Sequence, residues 1–150
     1  MMGPTMKEKT VCIIPYYSPG KENEDNGQPQ PNNKECNAEG SGEIVKVSTI
    51  DEELIPIVDT RPFLINVDVE GYEFEVLKGS ESFLRKFRPC FILVDVDHLD
   101  IAGTDHDSIT KWLETRDYEK CSHTVDRDHL FFHRSCSDFA SKLQECEKYD

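Results

Sequence analysis

The sequence predicts an α/β fold built around a parallel sheet. Two short apolar runs rich in β-branched and aromatic residues, Phe63-Leu64-Ile65-Asn66-Val67-Asp68-Val69 and Cys90-Phe91-Ile92-Leu93-Val94, are separated by segments with helical spacing. Strands that alternate with helices pair in parallel through right-handed crossovers. The first of these runs is continuous rather than alternating, so it is expected to be buried on both faces, as in a parallel sheet.

The elements follow in order. Val11 to Tyr17 (VCIIPYY) reads as a short apolar strand. From Ser18 to Gly42 the chain turns to Pro, Gly, Asn, Gln, Glu and Lys. Such a segment buries too little surface to offset its ordering entropy, and a flexible insert is expected there. Order resumes at Glu43, with Ile44, Val45 and Val47 forming a strand. Thr49 with Glu52 three residues on fits a capping box, so a short helix should start there and stop before Pro56. After Gly71, Phe74, Val76 and Leu77 share a helical face. Gly79 is expected to end that helix in a left-handed conformation, with Ser80 capping a second helix that carries Phe83, Leu84 and Phe87.

Pro89 stops that helix ahead of the strand ending at Asp95. Asp107 is expected to cap a helix through Ile109, Trp112 and Leu113. Tyr118–Val125 and His129–His133 read as two strands joined at Asp126-Arg127-Asp128, and Ser137–Tyr149 as a helical tail with Phe139, Leu143 and Cys146 along one stripe. The organisation is therefore a strand segment (1–17), a polar insert (18–42), an α/β domain (43–134) and a C-terminal helix or tail (135–150).

Composition narrows the partners. The chain has 150 residues, enough for one domain with a core. Its formal net charge of −13 excludes nucleic acid and anionic membrane surfaces as expected partners, because phosphate binding needs concentrated Lys and Arg. No apolar run approaches the ~20 residues of a spanning helix. Val11-Cys12-Ile13-Ile14 is shorter than the ~7–15 residues of a signal-peptide core. The 6 cysteines (12, 36, 90, 121, 136, 146) contain no Cys-x-x-Cys pair. Their even count permits disulfides, yet Cys12 and Cys90 read more simply as small buried apolar residues, and a reduced, cytoplasmic location is expected.

The chemistry concentrates at Val67-Asp68-Val69-Glu70-Gly71-Tyr72-Glu73. A buried strand delivers Asp68 to its carboxyl end, and Gly71 permits a sharp turn into a helix. Ligands of open α/β sheets bind beyond the carboxyl ends of the strands. Carboxylates converging there can act as a general base, hold a metal, or accept hydrogen bonds from a substrate. The plainer role for Glu70 or Glu73 is to complement the start of the following helix.

Thr49-Ile50-Asp51-Glu52-Glu53-Leu54, the strand into Asp68-Val69-Glu70-Gly71-Tyr72-Glu73, then Val76-Leu77-Lys78-Gly79-Ser80 and Arg88-Pro89-Cys90-Phe91-Ile92 resemble successive blocks of the FkbM-type methyltransferase domain. The likeness runs from about Val45 to Phe132, a little over half the chain. It implies a Rossmann-like methyltransferase fold, represented by its C-terminal strands and helices and finished by an antiparallel hairpin. It also implies S-adenosylmethionine as cofactor and O-methylation of a small-molecule or sugar-type acceptor. Carried over, Asp68 and Glu70 are the candidate catalytic residues. Asp68, Gly71 and Glu73 are the candidate cofactor-binding residues, the last two as architecture.

The resemblance leaves the family's glycine-rich cofactor loop without a counterpart. Glu39-Gly40-Ser41-Gly42 lacks a strand before it and a helix after it, and reads as a linker. Asp95 or Asp97 stands in for the family's acid after the second strand. A partial domain is expected, with reduced cofactor binding and an open sheet edge that Val11–Tyr16 or a protein partner would cover.

Two other readings stay open. One is a non-catalytic binding module descended from a methyltransferase. The other takes Asp95-Val96-Asp97 as the Asp-x-Asp of a metal-dependent glycosyltransferase, against two ordinary acids at a strand end. Cys121-Ser122-His123 with His133-Arg134-Ser135-Cys136 reads as solvent-facing strand residues rather than a zinc site. His98 and His106 read as loop histidines. No serine or cysteine nucleophile has a recognisable partner, so acyl transfer and proteolysis have no support.

Overall fold

The computed structural model describes residues 9–15, 27–30, 43–99, 103–125, 128–143 and 146, with backbone alone at 9–15, 27–30, 43–44 and 123–125. The chain divides into two compact units, Met1–Ser48 and Thr49–Asp150.

The first unit holds a three-stranded antiparallel sheet in the order β2-β1-β3: β1 (Lys9–Pro15), β2 (Gly27–Gln30) and β3 (Glu43–Val47). Val11 stands opposite Val45, and Ile13 opposite Pro29. Within the 18–42 stretch, the described residues 27–30 form the strand β2, which the sequence analysis does not anticipate. Its residues are too polar to signal a strand, and it forms by backbone pairing with β1 instead. Pro29, which has no N–H to offer, is tolerated because β2 lies on the edge. Tyr16 and Tyr17, the rest of the insert and the Gly40–Gly42 stretch lie outside the described residues, as does the Cys12 side chain.

The second unit is a mixed α/β layer structure. Its elements are α1 (Ile50–Leu54), β4 (Leu64–Val67), α2 (Glu73–Lys78), α3 (Glu81–Phe87), β5 (Phe91–Asp95), α4 (His106–Glu114), β6 (Tyr118–Val125), β7 (Asp128–His133), a 3-10 turn (Arg134–Cys136) and α5 (Ser137–Ala140). The sheet order is β4-β5-β7-β6. β4 and β5 run parallel, with Val67 beside Val94, and β7 inserts antiparallel between β5 and β6. The parallel pair and the terminal hairpin are as the sequence predicts.

One face of the sheet packs on the helices. Ile92, Val94 and Phe131 are wholly buried there with Leu77, Phe83, Ile109 and Leu113. Each such side chain contributes about 1.5–3 kcal/mol, which makes this layer the main source of stability. Ring contacts tie the helices together: Phe74 of α2 meets Trp112 of α4 edge-on at 6.0 Å, and the Arg116 guanidinium lies 3.5 Å above the Trp112 ring. Arg116 also pairs with Glu81 at the start of α3.

β4 departs from the expectation of a strand buried on both faces. Phe63, Leu64 and Asn66 are exposed, and only Ile65 and Val67 face the helices. The reason is position. Among the described strands β4 is an edge strand, paired on one side only.

The capping also differs from the sequence reading. The Thr49–Glu52 box is present, with both reciprocal bonds. Gly79, however, is right-handed (φ −73°). It is a close-approach residue, because a Cβ there would come within 3.3 Å of the Thr49 side chain. Ser80 turns its hydroxyl back to donate to the Leu77 carbonyl at 2.7 Å and does not cap α3. Asp51 of α1 caps it from a distance, its two carboxylate oxygens accepting from the Ser82 and Phe83 N–H groups at 2.9 and 2.7 Å. The cap of α4 is Asp105, which accepts from Ser108 N–H at 2.7 Å. Asp107 sits inside the first turn instead. Among the described residues of the tail the α-helix is Ser137–Ala140, and Phe139 is exposed rather than on the buried stripe.

Cys90 is not a free apolar residue. It is disulfide-bonded to Cys136, and Cys121 is bonded to Cys146. Cys121 and Cys136 are buried rather than solvent-facing, because the C-terminal segment packs over them, and His133 is buried on the opposite face, edge-on to Tyr118 at 5.1 Å.

Because the Asp51 carboxylate caps α3 and so ties α1 to it, Asp51→Ala should cost about 1–2 kcal/mol of stability. Urea unfolding of the full chain measures this, with Glu53→Ala on the exposed side of α1 as a control of little effect.

Candidate functional site

The carboxyl ends of β4 and β5 and the amino end of β7 meet at one edge of the sheet. Register places Asp68, next after Val67, beside the strand that ends in Asp95, and Asp95 opposite Asp128. Asp68 is exposed and its carboxylate is uncommitted among the described residues. The Asp95 Oδ1 accepts from the Asp97 N–H at 2.9 Å, which tightens the turn after β5.

The turn after β4 is unusual. Glu70 and Gly71 have φ of 53° and 101°, two successive residues on the left-handed side. Gly71 accommodates this freely, whereas Glu70 does so at a cost of roughly 1–2 kcal/mol. Glu73, the first residue of α2, holds the turn. Its Oε1 accepts from the Val69 and Gly71 N–H groups, each at 3.0 Å. The Glu73 side chain is 1% exposed, and its Oε2 is buried with no donor among the described residues. Glu73 thus acts on the backbone of the turn that precedes α2. The turn presents Glu70 outward, where its Oε2 lies 3.8 Å from Nε2 of His98 in the segment after β5.

A second group at this edge escaped the sequence reading. His129 of β7 is 8% exposed and sits opposite Val94. Its Nε2 lies 3.2 Å from the Lys120 Nζ, and its ring centre 5.3 Å from that of His106 at the start of α4. Burial, then the Lys120 and His106 charges, hold His129 down at about 4. Burial likewise lowers Lys120. At neutral pH the imidazole is uncharged and accepts from the ammonium. The signal was present in His129-Leu130-Phe131-Phe132-His133, since residues two apart share a face and Phe131 is core.

Among the described residues, no group of three or more His, Cys, Asp and Glu side chains forms a cation site. No helix among them is long and apolar enough to cross a membrane. Cys121 and Cys136 are bonded to other cysteines, so neither offers a thiolate to a metal.

A family model described as the methyltransferase FkbM domain matches residues 7–120. The chain belongs to the FkbM methyltransferase family. The match begins well before Val45 and takes in β1, β2 and β3, so the family likeness reaches further toward the amino terminus than the motif blocks indicate. Comparison with curated proteins and with solved structures finds no match.

Two outcomes test this geometry. Glu73→Ala leaves two backbone donors without their carboxylate and should cost about 2–3 kcal/mol. Urea unfolding reads that loss, and loss of amide-exchange protection at Val69 and Gly71 localises it. His129 predicts a pH effect. Its folded value lies below the ordinary 6.5, so the unfolded chain binds more protons between pH 6.5 and about 4. Its contribution is present above pH 6.5 and lost as pH falls toward 4. Thermal melts across that window should drop for the wild-type chain and flatten in His129→Phe, and parallel profiles would contradict the assignment.

Proposed function

We propose that this domain is an S-adenosylmethionine-dependent O-methyltransferase of Rossmann-like fold, acting on a small or sugar-type hydroxyl acceptor at the carboxyl edge of β4 and β5. The observation that carries this reading is the uncommitted Asp68 carboxylate at a strand end, beside a turn that Glu73 holds in a fixed shape. The family match supports methyl transfer as the activity class.

The side chains present suit the cofactor's chemistry. S-adenosylmethionine carries a sulfonium, an ammonium and two ribose hydroxyls, and Asp68, Glu70 and Asp95 offer carboxylate oxygens on one edge. When bound, it supplies an electrophilic methyl group. Asp68 would hold its cationic or hydroxyl groups, and Gly71 lets the backbone approach closely because it carries no Cβ. Glu70 would accept the proton that the acceptor hydroxyl loses as its oxygen gains the methyl group. His98, 3.8 Å from Glu70 Oε2, can pass that proton to solvent. Glu73 works through the turn and touches neither reactant.

The test is methyl transfer by the full chain with a panel of hydroxylated sugars and small metabolites, read as S-adenosylhomocysteine formed. Glu70→Gln should lower kcat by about 10²–10⁴-fold while leaving cofactor affinity nearly unchanged. Asp68→Ala should weaken both. Absence of cofactor binding by calorimetry, together with absence of turnover, would overturn the proposal.

A further inference from the structure

Helices α1 to α4 pack on one face of the four-stranded sheet. On the other face Phe91, Leu130 and Phe132 are covered by Ala140, Leu143 and Cys146, with Cys90, Cys121 and Cys136 in the same cluster. The covering segment has little regular structure of its own. Its described residues form a three-residue 3-10 turn, a four-residue helix and further turns. Helices this short are not stable by themselves, because nucleation costs more than a single turn returns.

Two covalent bonds compensate for this. Cys90, just before β5, joins Cys136 near the start of the segment, with Cα atoms 5.5 Å apart and a sequence separation of 46. Cys121 of β6 joins Cys146 at its far end, with Cα atoms 4.1 Å apart and a separation of 25. The segment is therefore fastened at both ends and to two different parts of the sheet. Cys121, Cys136 and Cys146 all lie beyond residue 120, where the family match stops. Of the four bonded cysteines, Cys90 alone lies within the matched residues.

We propose that residues 134–143 and Cys146 form a disulfide-fastened cover for the second face of the sheet, and that the chain matures in a compartment that forms disulfides. Structural disulfides form and persist in oxidising surroundings and are rare where thiols are kept reduced. This replaces the reduced, cytoplasmic setting expected from the cysteine spacing. Each bond arises by exchange with an oxidised disulfide carrier. One cysteine thiolate attacks the carrier's disulfide and displaces one of its thiols. The partner cysteine then attacks the mixed disulfide, and the carrier leaves as a dithiol with both electrons. On reduction the cover loses both fastenings and Phe91, Leu130 and Phe132 become exposed.

The experiment is peptide mapping of the full chain, produced in a secretory compartment and digested without reduction after thiols are blocked. The expected result is Cys90 linked to Cys136 and Cys121 linked to Cys146. Adding reductant to the folded chain should lower its melting temperature by on the order of 10 °C and raise binding of a hydrophobic dye. A Cys90→Ala/Cys136→Ala double variant should retain the Cys121–Cys146 link and melt between the two. If that variant does not fold, mapping of the wild-type chain still decides. Free thiols at these positions in the folded chain, different pairings, or an unchanged melt in reductant would overturn the proposal.

Discussion

The buried carboxylate of Glu73 is the constraint on which the candidate site depends. The turn from Asp68 to Tyr72 contains two successive left-handed residues, one of them a glutamate, and such a backbone does not hold itself. The strain at Glu70 is about 1–2 kcal/mol. Charge-assisted bonds from Val69 and Gly71 N–H, each worth about 1.5–3 kcal/mol, outweigh it. The carboxylate is removed from solvent, so these bonds are not weakened by competing water. The result is a held turn that leaves the Asp68 carboxylate uncommitted among the described residues and places Glu70 beside His98. A glutamate at the start of a helix usually complements the helix dipole, whereas this one fixes the loop before the helix.

The layers divide the work. The helical face of the sheet supplies stability through Ile92, Val94, Phe131, Ile109 and Leu113, none of which bears chemistry. The carboxyl edge carries the acids, Glu70 with His98, and the His129–Lys120 pair. His129 spans both roles, because it is packed in the strand layer yet its polar end reaches that edge. Its burial depresses its basicity and makes it an acceptor for Lys120. This arrangement fixes the lysine's position at the edge.

Much of this was legible in the sequence, for reasons that can be named. The β4 and β5 runs, the capping box at Thr49 and the hairpin at the end all follow from local patterns, and local patterns survive folding. The position of Asp68 just after β4 and of Glu70 in the following turn was legible because a strand end followed by glycine is itself a local signal. The failures share a cause. Asp51 capping α3, Gly79 making room for Thr49, and His129 being buried opposite Val94 are all contacts between residues distant in sequence. β4 reads as fully buried because its composition does not record that it lies on an edge. β2 carries no apolar pattern and exists through its pairing with β1. The cysteine pairings likewise cannot be read from spacing alone.

The central claim is that the carboxyl edge of β4 and β5, shaped by Glu73, is where the methyl donor binds. The most direct measurement is a titration of the isotope-labelled full chain with S-adenosylmethionine, followed by amide chemical shifts. The account predicts saturable shifts concentrated at residues 68–73 and 95–98, and their loss in Glu73→Ala at cofactor concentrations that saturate the wild-type chain. Shifts confined to other parts of the chain, or none at all, would contradict it.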